Sequence, residues 1–447
     1  MLDAPQRTFL DSRNREAQDE TALLMRQGAL EVGIPRAQRL QNSMVQRPVY
    51  IDHSATTPVD QRVIEAMLPY FGENFGNASS VHGYGQQARA AVDRARRQIA
   101  TLIGAKQNEI VFVSGGTEAN NLALRGLTEI AGSSGKHIIT SAIEHPSVRG
   151  VCDVLEKHDW QVTRLPVYRN GIVRIDDVRS ALRDDTVLVS VMMANNEIGS
   201  IQPISEIGAE VRAARGRGQK IWFHTDAVQA AGRVRVNVED LGVDLLTLSG
   251  HKLYGPKGIA ALYIRRGVRL APQMVGGHQE RERRAGTENV AAIVGFGTAA
   301  KLATEEMDSR NAHDLALRDA FEQRVSESID DIDLNGDRKS RLPHLSNISF
   351  RFIEGEGLLI NLDLKGIAVS TGSACSSGTL EPSPVIRALG LSAEDARGAI
   401  RFSFGKGNTV EDVDYTVGVL IDAVGRLREL SPLNKRAHSE IRSVSSR

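Results

Sequence analysis

Lys252 lies in Ser249-Gly250-His251-Lys252, which closes an apolar run from Val243 to Leu248 and opens the Gly/Pro turn Leu253-Tyr254-Gly255-Pro256-Lys257-Gly258. An amine held at the mouth of a sheet is partly desolvated and can condense with a carbonyl. Upstream, the strand-like run Ile221-Trp222-Phe223 leads into His224-Thr225-Asp226-Ala227-Val228-Gln229. A condensing lysine and an acid for a pyridinium nitrogen are the two protein groups that pyridoxal 5'-phosphate requires. The sequence therefore predicts a site for that cofactor. Asp226 and Gln229 can be aimed at one ring from a single turn or tight loop. Asp226 would face the ring nitrogen and Gln229 the phenolic oxygen. Taken alone, Asp226 reads more simply as a helix cap.

Other residues fit around this pair. Ser114-Gly115-Gly116-Thr117-Glu118 follows the apolar run Ile110 to Val113 and opens a helix. Gly116 and Thr117 can offer backbone and hydroxyl donors to a phosphate at a helix N-terminus, or simply form a capped strand-to-helix turn. Ser249 and His251 either add phosphate donors or are solvated loop residues. His145, read at a strand end, can stack on a cofactor face or shuttle protons, although a lone histidine there is more often structural. Asn196 leaves another strand end, where α/β proteins place ligand contacts; two adjacent asparagines can instead form a turn. Arg401 can clamp a substrate carboxylate or be a solvated arginine on an edge strand.

A second nucleophile stands apart. Cys375 lies in Ser370-Thr371-Gly372-Ser373-Ala374-Cys375-Ser376-Ser377-Gly378-Thr379, where eight of ten residues are Gly, Ser or Thr. That composition builds a mobile segment rather than a packed core, so an accessible thiol is expected. Such a thiol can take an atom from a substrate at the cofactor and deliver it elsewhere; the alternative is a tolerated free cysteine in a linker. Cys152, in Val151-Cys152-Asp153-Val154-Leu155, reads as a small core hydrophobe.

These residues must be positioned by larger elements. Strand-like runs at 110–113, 137–140, 162–167, 187–192, 221–223, 245–248 and 260–264 alternate with helical stretches such as 118–130, 147–158 and 204–215. That alternation predicts an α/β fold with a mostly parallel sheet covered on both faces. Beyond Gly286 the pattern changes. It gives helices at 289–307, 318–329, 357–364 and 410–430, with short strands at 347–351, 368–370 and 400–404, which suggests a smaller α+β domain. The expected division is a large domain at 62–303, a small domain at 48–61 and 304–433 carrying Cys375, and a polar tail at 434–447. Residues 1–47 are expected to be a partly disordered extension with a short helix near Thr21 to Leu30.

The 447 residues balance 55 basic against 55 acidic side chains. That removes a global electrostatic argument for nucleic acid or an anionic membrane as direct partner. No apolar run approaches the ~20 residues of a membrane span. Two cysteines cannot build a disulfide framework, which points to a reducing, cytoplasmic compartment.

Together these stretches resemble the cysteine desulfurases, the NifS/IscS-like branch of the class V, fold type I aminotransferases. Further matching stretches are Tyr50-Ile51-Asp52-His53-Ser54-Ala55-Thr56-Thr57-Pro58, Phe75-Gly76-Asn77, Gly276-Gly277-His278-Gln279-Glu280-Arg281 and Arg284-Ala285-Gly286-Thr287-Glu288-Asn289. The resemblance runs from about Arg47 to Pro432. It implies a large domain built on a seven-stranded sheet, pyridoxal 5'-phosphate on Lys252, and a persulfide on Cys375 formed from L-cysteine with release of L-alanine. It further implies Gly116, Thr117, Ser249 and His251 on the phosphate, and Asn196, Asp226 and Gln229 on the ring. His145 would stack on that ring and act in catalysis, with Arg401 and Asn196 on the substrate carboxylate. The residue matching Thr287 reaches the other subunit's phosphate in this family, which implies a homodimer. Glu381-Pro382-Ser383 resembles the long-loop subgroup that serves iron–sulfur assembly, so an iron–sulfur scaffold is the implied sulfur acceptor. Three departures stand out: the N-terminal extension lies outside the pattern, Gly116 stands where many relatives carry alanine, and the residues after Leu433 show no clear scaffold-docking motif. Selenocysteine lyase and a non-catalytic scaffold of the same fold are the alternative readings.

Overall fold

The computed structural model describes residues 48–132, 135–371 and 382–432. The expectations for 1–47, for Cys375 and for 434–447 lie outside the described residues. The chain enters through the short strand β1 (Val49–Tyr50) and the helices α1 (Gln61–Met67) and α2 (Gly83–Leu102). A seven-stranded sheet follows: β2 (Ile110–Val113), β3 (His137–Ser141), β4 (Gln161–Leu165), β5 (Thr186–Ser190), β6 (Trp222–Asp226), β7 (Leu245–Ser249) and β8 (Ala260–Ile264). Their order is β2-β8-β7-β6-β5-β3-β4, and β8 alone runs against the rest. Between them run α3 (Gly116–Ala131), α4 (Pro146–Glu156), α5 (Ile175–Ala181), α6 (Ile204–Gly216) and α7 (Val238–Leu241).

The strand sequences explain why both faces are covered. Along β3, β5 and β7, neighbouring side chains alternate between two apolar clusters: Ile138, Leu188 and Leu245 join one, Ile139, Val189 and Leu246 the other. Strands buried on both faces read as continuous apolar runs. Buried histidines interrupt two strands: His224 of β6 is accommodated by Ser190 Oγ at 2.8 Å and Thr247 Oγ1 at 3.1 Å, and His137 of β3 by Thr186 Oγ1 and Thr163 Oγ1, each at 2.8 Å. A buried polar ring needs such partners.

The chain then forms one 39-residue helix, α8 (Val290–Ser328). The sequence predicts two separate helices here, 289–307 and 318–329; the stretch between them is polar. That stretch contains neither Gly nor Pro, and its side chains find partners: Arg310 binds Glu306 in the previous turn, and Asp314 binds Arg233. A polar segment without a breaker continues a helix when its charges are paired. A three-stranded antiparallel sheet follows, with β12 (Ala399–Ser403) beside β10 (Leu345–Phe350) and then β9 (Ile332–Leu334). Strand β11 (Ile367–Ala368) pairs in parallel with β1. Ile348, Phe350, Ile400 and Phe402 pack with Leu317, Phe321 and Val325 of α8 into a separate apolar cluster. Helices α9 (Gly355–Asp363) and α12 (Val410–Leu430) join that cluster, and the short α10 (Pro384–Ala388) and α11 (Ala393–Arg397) lie between β11 and β12.

Candidate active site

The parallel strands end along one edge of the seven-stranded sheet, the place where open α/β sheets bind ligands. A cavity of about 350 Å³ opens there. Lys252 reaches it from the single turn Gly250–Lys252 after β7, and its Nζ donates to the carbonyls of Ser54 and Ala55, the latter at 2.6 Å. The turn beyond is tight. Tyr254 adopts φ 63°, and a Cβ on Gly255 would sit 2.8 Å from the Gly250 carbonyl oxygen. Only glycine tolerates that approach.

Asp226 is the buried last residue of β6, and a turn rather than a helix follows it. Oδ1 accepts the Val228 N–H at 3.0 Å, a local cap, while Oδ2 accepts the Asn120 amide at 2.8 Å on the cavity wall. Gln229 also lines the cavity and donates to the Ser54 carbonyl at 2.9 Å. Gly116 and Thr117 begin α3, whose cap residue Gly115 supplies no side-chain acceptor. Gly116 and Thr117 line the cavity, so the start of α3 offers it first-turn N–H groups and the positive end of a helix dipole, a setting that suits an anion. A Cβ on Gly116 would lie 3.3 Å from Val228 Cγ2, so alanine fits there with a small shift. Ser249 and His251 line the same cavity. Burial, with Lys252 and Lys257, pushes His251 down to about 4, and its Nδ1 lies 3.1 Å from Thr56 Oγ1. It is a neutral hydrogen-bonding group at physiological pH.

His145 is not at a strand end: β3 stops at Ser141, and His145 caps α4, its Nδ1 accepting the Ser147 N–H at 3.1 Å. Pro146 at the first helical position favours that start. The paired asparagines divide the two roles proposed for them. Asn195 builds the turn, its Oδ1 accepting from the Glu197 and Ile198 N–H groups, and Asn196 lines the cavity. Arg401 is 2% exposed, so it is not a solvated edge arginine. Its Nη2 donates to Asp52 Oδ1 at 2.7 Å, its Nη1 to the Asn196 carbonyl at 2.9 Å, and its Nε is buried without a partner among the described residues.

Thr287 is not brought into this cavity. It lines a separate groove of about 210 Å³ with Ser114, Gly258, Arg284 and Glu288. The described residues flanking the Cys375 segment are both tied to the site: Ser370 accepts the Arg401 N–H at 2.7 Å, and the Ser383 hydroxyl donates to Glu197 Oε2 at 2.5 Å. Cys152 is fully buried and burial pushes its thiol up to about 12, an unreactive core residue. Sequence reasoning missed Asn120 and Ser147, which also line the cavity. The available signal was spacing: Asn120 is three residues past Thr117 on one helix face, and Ser147 two past His145.

The residues present fit pyridoxal 5'-phosphate by their donor set. An uncapped helix start and two neutral donors suit its phosphate, a buried carboxylate suits its ring nitrogen, and a lysine amine reaches the same space. This is the architecture of the fold type I enzymes that use that cofactor. Residues 49–416 match the aminotransferase class-V family model. A curated relative, cysteine desulfurase IscS of Dictyoglomus turgidum, is 50% identical over 388 residues, covering 87% of this chain and 97% of that one. Among solved structures, one described as a NifS-like protein superposes with a TM-score of 0.80 at 35% identity, covering 85% of this chain and all of its own. Another, described as SspA in complex with cysteine, gives 0.71 at 35% identity over 81% of this chain and all of its own. The chain belongs to the class V aminotransferase family, within the branch of the cysteine desulfurases. Among the described residues, no helix is long and apolar enough to cross a membrane.

Proposed function

We propose that the protein is a pyridoxal 5'-phosphate-dependent desulfurase that takes sulfur from L-cysteine and leaves L-alanine. The observation that carries this is the convergence of Lys252, Asp226, the start of α3 and buried Arg401 on one cavity. The bound cofactor supplies an electron sink that weakens bonds at the substrate Cα. Lys252 anchors it and carries protons at that carbon. Asp226 would accept from the ring N–H, Gln229 would donate to the phenolic oxygen, and Gly116, Thr117, Ser249 and His251 would hold the phosphate. His145, which lines the cavity, would lie against the ring and handle protons there. Arg401 and Asn196 bind the substrate carboxylate.

Cys375, as thiolate, attacks the substrate sulfur. The carbon–sulfur bond breaks, a sulfur–sulfur bond forms, and the proton released replaces sulfur on carbon. Enzyme thiol plus L-cysteine thus gives enzyme persulfide plus L-alanine, with no external oxidant. The persulfide passes its outer sulfur to an acceptor thiol, and the acceptor class we assign is an iron–sulfur assembly scaffold. We further assign a small domain at 48–61 and 304–433 carrying the thiol, a homodimer in which Thr287 reaches the partner's phosphate, and a cytoplasmic location in keeping with only two cysteines. Incubation with L-cysteine and a reductant is expected to release equal amounts of alanine and sulfide, and Lys252→Ala to release neither. Alanine released from selenocysteine but not from cysteine would reassign the substrate, and no alanine from either would refute the proposal.

A further inference from the structure

Asn120 and Ser147 line the cavity without any of the roles assigned above. Asn120, on α3, is 1% exposed, and its amide nitrogen reaches two acceptors, Asp226 Oδ2 and Ser147 Oγ, each at 2.8 Å. The amide cannot be turned the other way without setting its oxygen against the Asp226 carboxylate. Ser147 Oγ therefore accepts from Asn120 and keeps its own hydrogen for His145 Nδ1, 2.8 Å away. The same Nδ1 accepts the Ser147 backbone N–H. A backbone N–H only donates, so Nδ1 must carry its lone pair, and the neutral ring holds its proton on Nε2.

We propose that Asn120 and Ser147 are positioning residues forming a directional relay: Asn120 donates to Asp226 and to Ser147, and Ser147 donates to His145. The relay locks His145 as the Nε2–H tautomer, so the ring meets the cavity as a proton donor while Asp226 is held as an acceptor. This rests on the reading of His145 and Asp226 as cofactor-facing groups. Protonating the ring at Nδ1 would break two hydrogen bonds, so the relay also favours the neutral form. Burial, Lys252 and Arg149 push in the same direction, and Asp226 opposes them.

The test reads His145 itself in the full chain freed of cofactor, where turnover plays no part. Diethyl pyrocarbonate modifies neutral imidazole, and mass spectrometry of the His145 peptide across pH gives the pKa of that ring. Ser147→Ala removes one donor to Nδ1 and is expected to raise this pKa by about half a unit to one unit. Ser147→Thr keeps the hydroxyl and restores it. Asn120→Ala frees the serine hydroxyl to rotate and gives a smaller rise; should that variant not fold, the Ser147 pair decides alone. In the loaded enzyme the acid limb of kcat/KM moves the same way. An unchanged His145 pKa in Ser147→Ala overturns the relay. The expected shift in a protein that releases no alanine from L-cysteine would uphold the relay and remove the desulfurase reading.

Discussion

Arg401→Ala tests the substrate clamp where the structure defines it best. The guanidinium is buried, held by Asp52 at 2.7 Å and the Asn196 carbonyl at 2.9 Å, and its Nε has no partner among the described residues. A carboxylate arriving at that free edge gains two charge-assisted hydrogen bonds, each about 1.5 kcal/mol at the low end for charged groups. Their loss, about 3 kcal/mol, lowers kcat/KM for L-cysteine by roughly 150-fold. Arg401→Lys keeps the charge, but one nitrogen cannot serve Asp52, the carbonyl and a substrate in fork geometry, so a drop of about tenfold is expected. Removing Arg401 also strands the Asp52 carboxylate, whose side chain is 16% exposed and partly reached by water. That costs about 1–2 kcal/mol of stability, less than for a fully buried pair. Alanine formation across cysteine concentrations, with melting temperature and cofactor content measured alongside, separates the effects. A folded, cofactor-loaded Arg401→Ala enzyme with wild-type kcat/KM would refute the assignment.

Two further outcomes follow from buried charges. Arg96 and Glu280 form a two-pronged pair at 2.7 Å, with side chains 5% and 3% exposed, and Glu280 also accepts the Phe112 N–H at 3.0 Å. Glu280, Arg281 and Glu282 all adopt positive φ, so this pair pins a strained turn. Arg96→Ala should cost about 3–5 kcal/mol, and Arg235→Ala, at the Arg235–Asp308 pair whose side chains are 81% and 80% exposed, below about 1 kcal/mol; equal costs in urea unfolding would contradict this. Burial pushes Glu144 up to about 8 from its ordinary 4.5, so it is protonated in the folded protein at neutral pH. Its stabilisation is complete below 4.5 and is lost as pH rises to about 8. Glu144→Gln should therefore gain stability over wild type through that window, by about 4 kcal/mol at its top; melting curves whose gap widens toward acid would show the sign to be wrong.

Much of the site was legible because its chemistry depends on residue type at strand ends. The run before Lys252, the turn after it, and Asp226 closing Ile221 to Phe223 place both groups on one sheet edge without knowledge of strand order. The helix α2 was not legible in the same way. Its buried face is mostly Ala88, Ala91, Val92 and Ala95, small residues that give a weak apolar signal. They are small because α8 packs closely there: a Cβ on Gly297 would lie 2.5 Å from Ala95. The continuity of α8 was hidden for the opposite reason, since the ion pairs that keep its polar middle helical come from distant residues such as Arg233 and Arg62. Arg401 illustrates the limit most plainly. On an edge strand it reads as solvated, and only the bridges from Asp52 to Ser403 and from Ser370 to Arg401 enclose it.

In the proposed reaction, sulfur leaves L-cysteine on the thiol of Cys375. The direct measurement is mass spectrometry of the peptide containing Cys375 after a single turnover with L-cysteine and no reductant, with alanine counted in parallel. A gain of one sulfur on Cys375, in amounts equal to the alanine released and absent from Cys152, is the predicted result. Alanine and sulfide appearing while Cys375 stays unmodified, or undiminished turnover in Cys375→Ala, would contradict it.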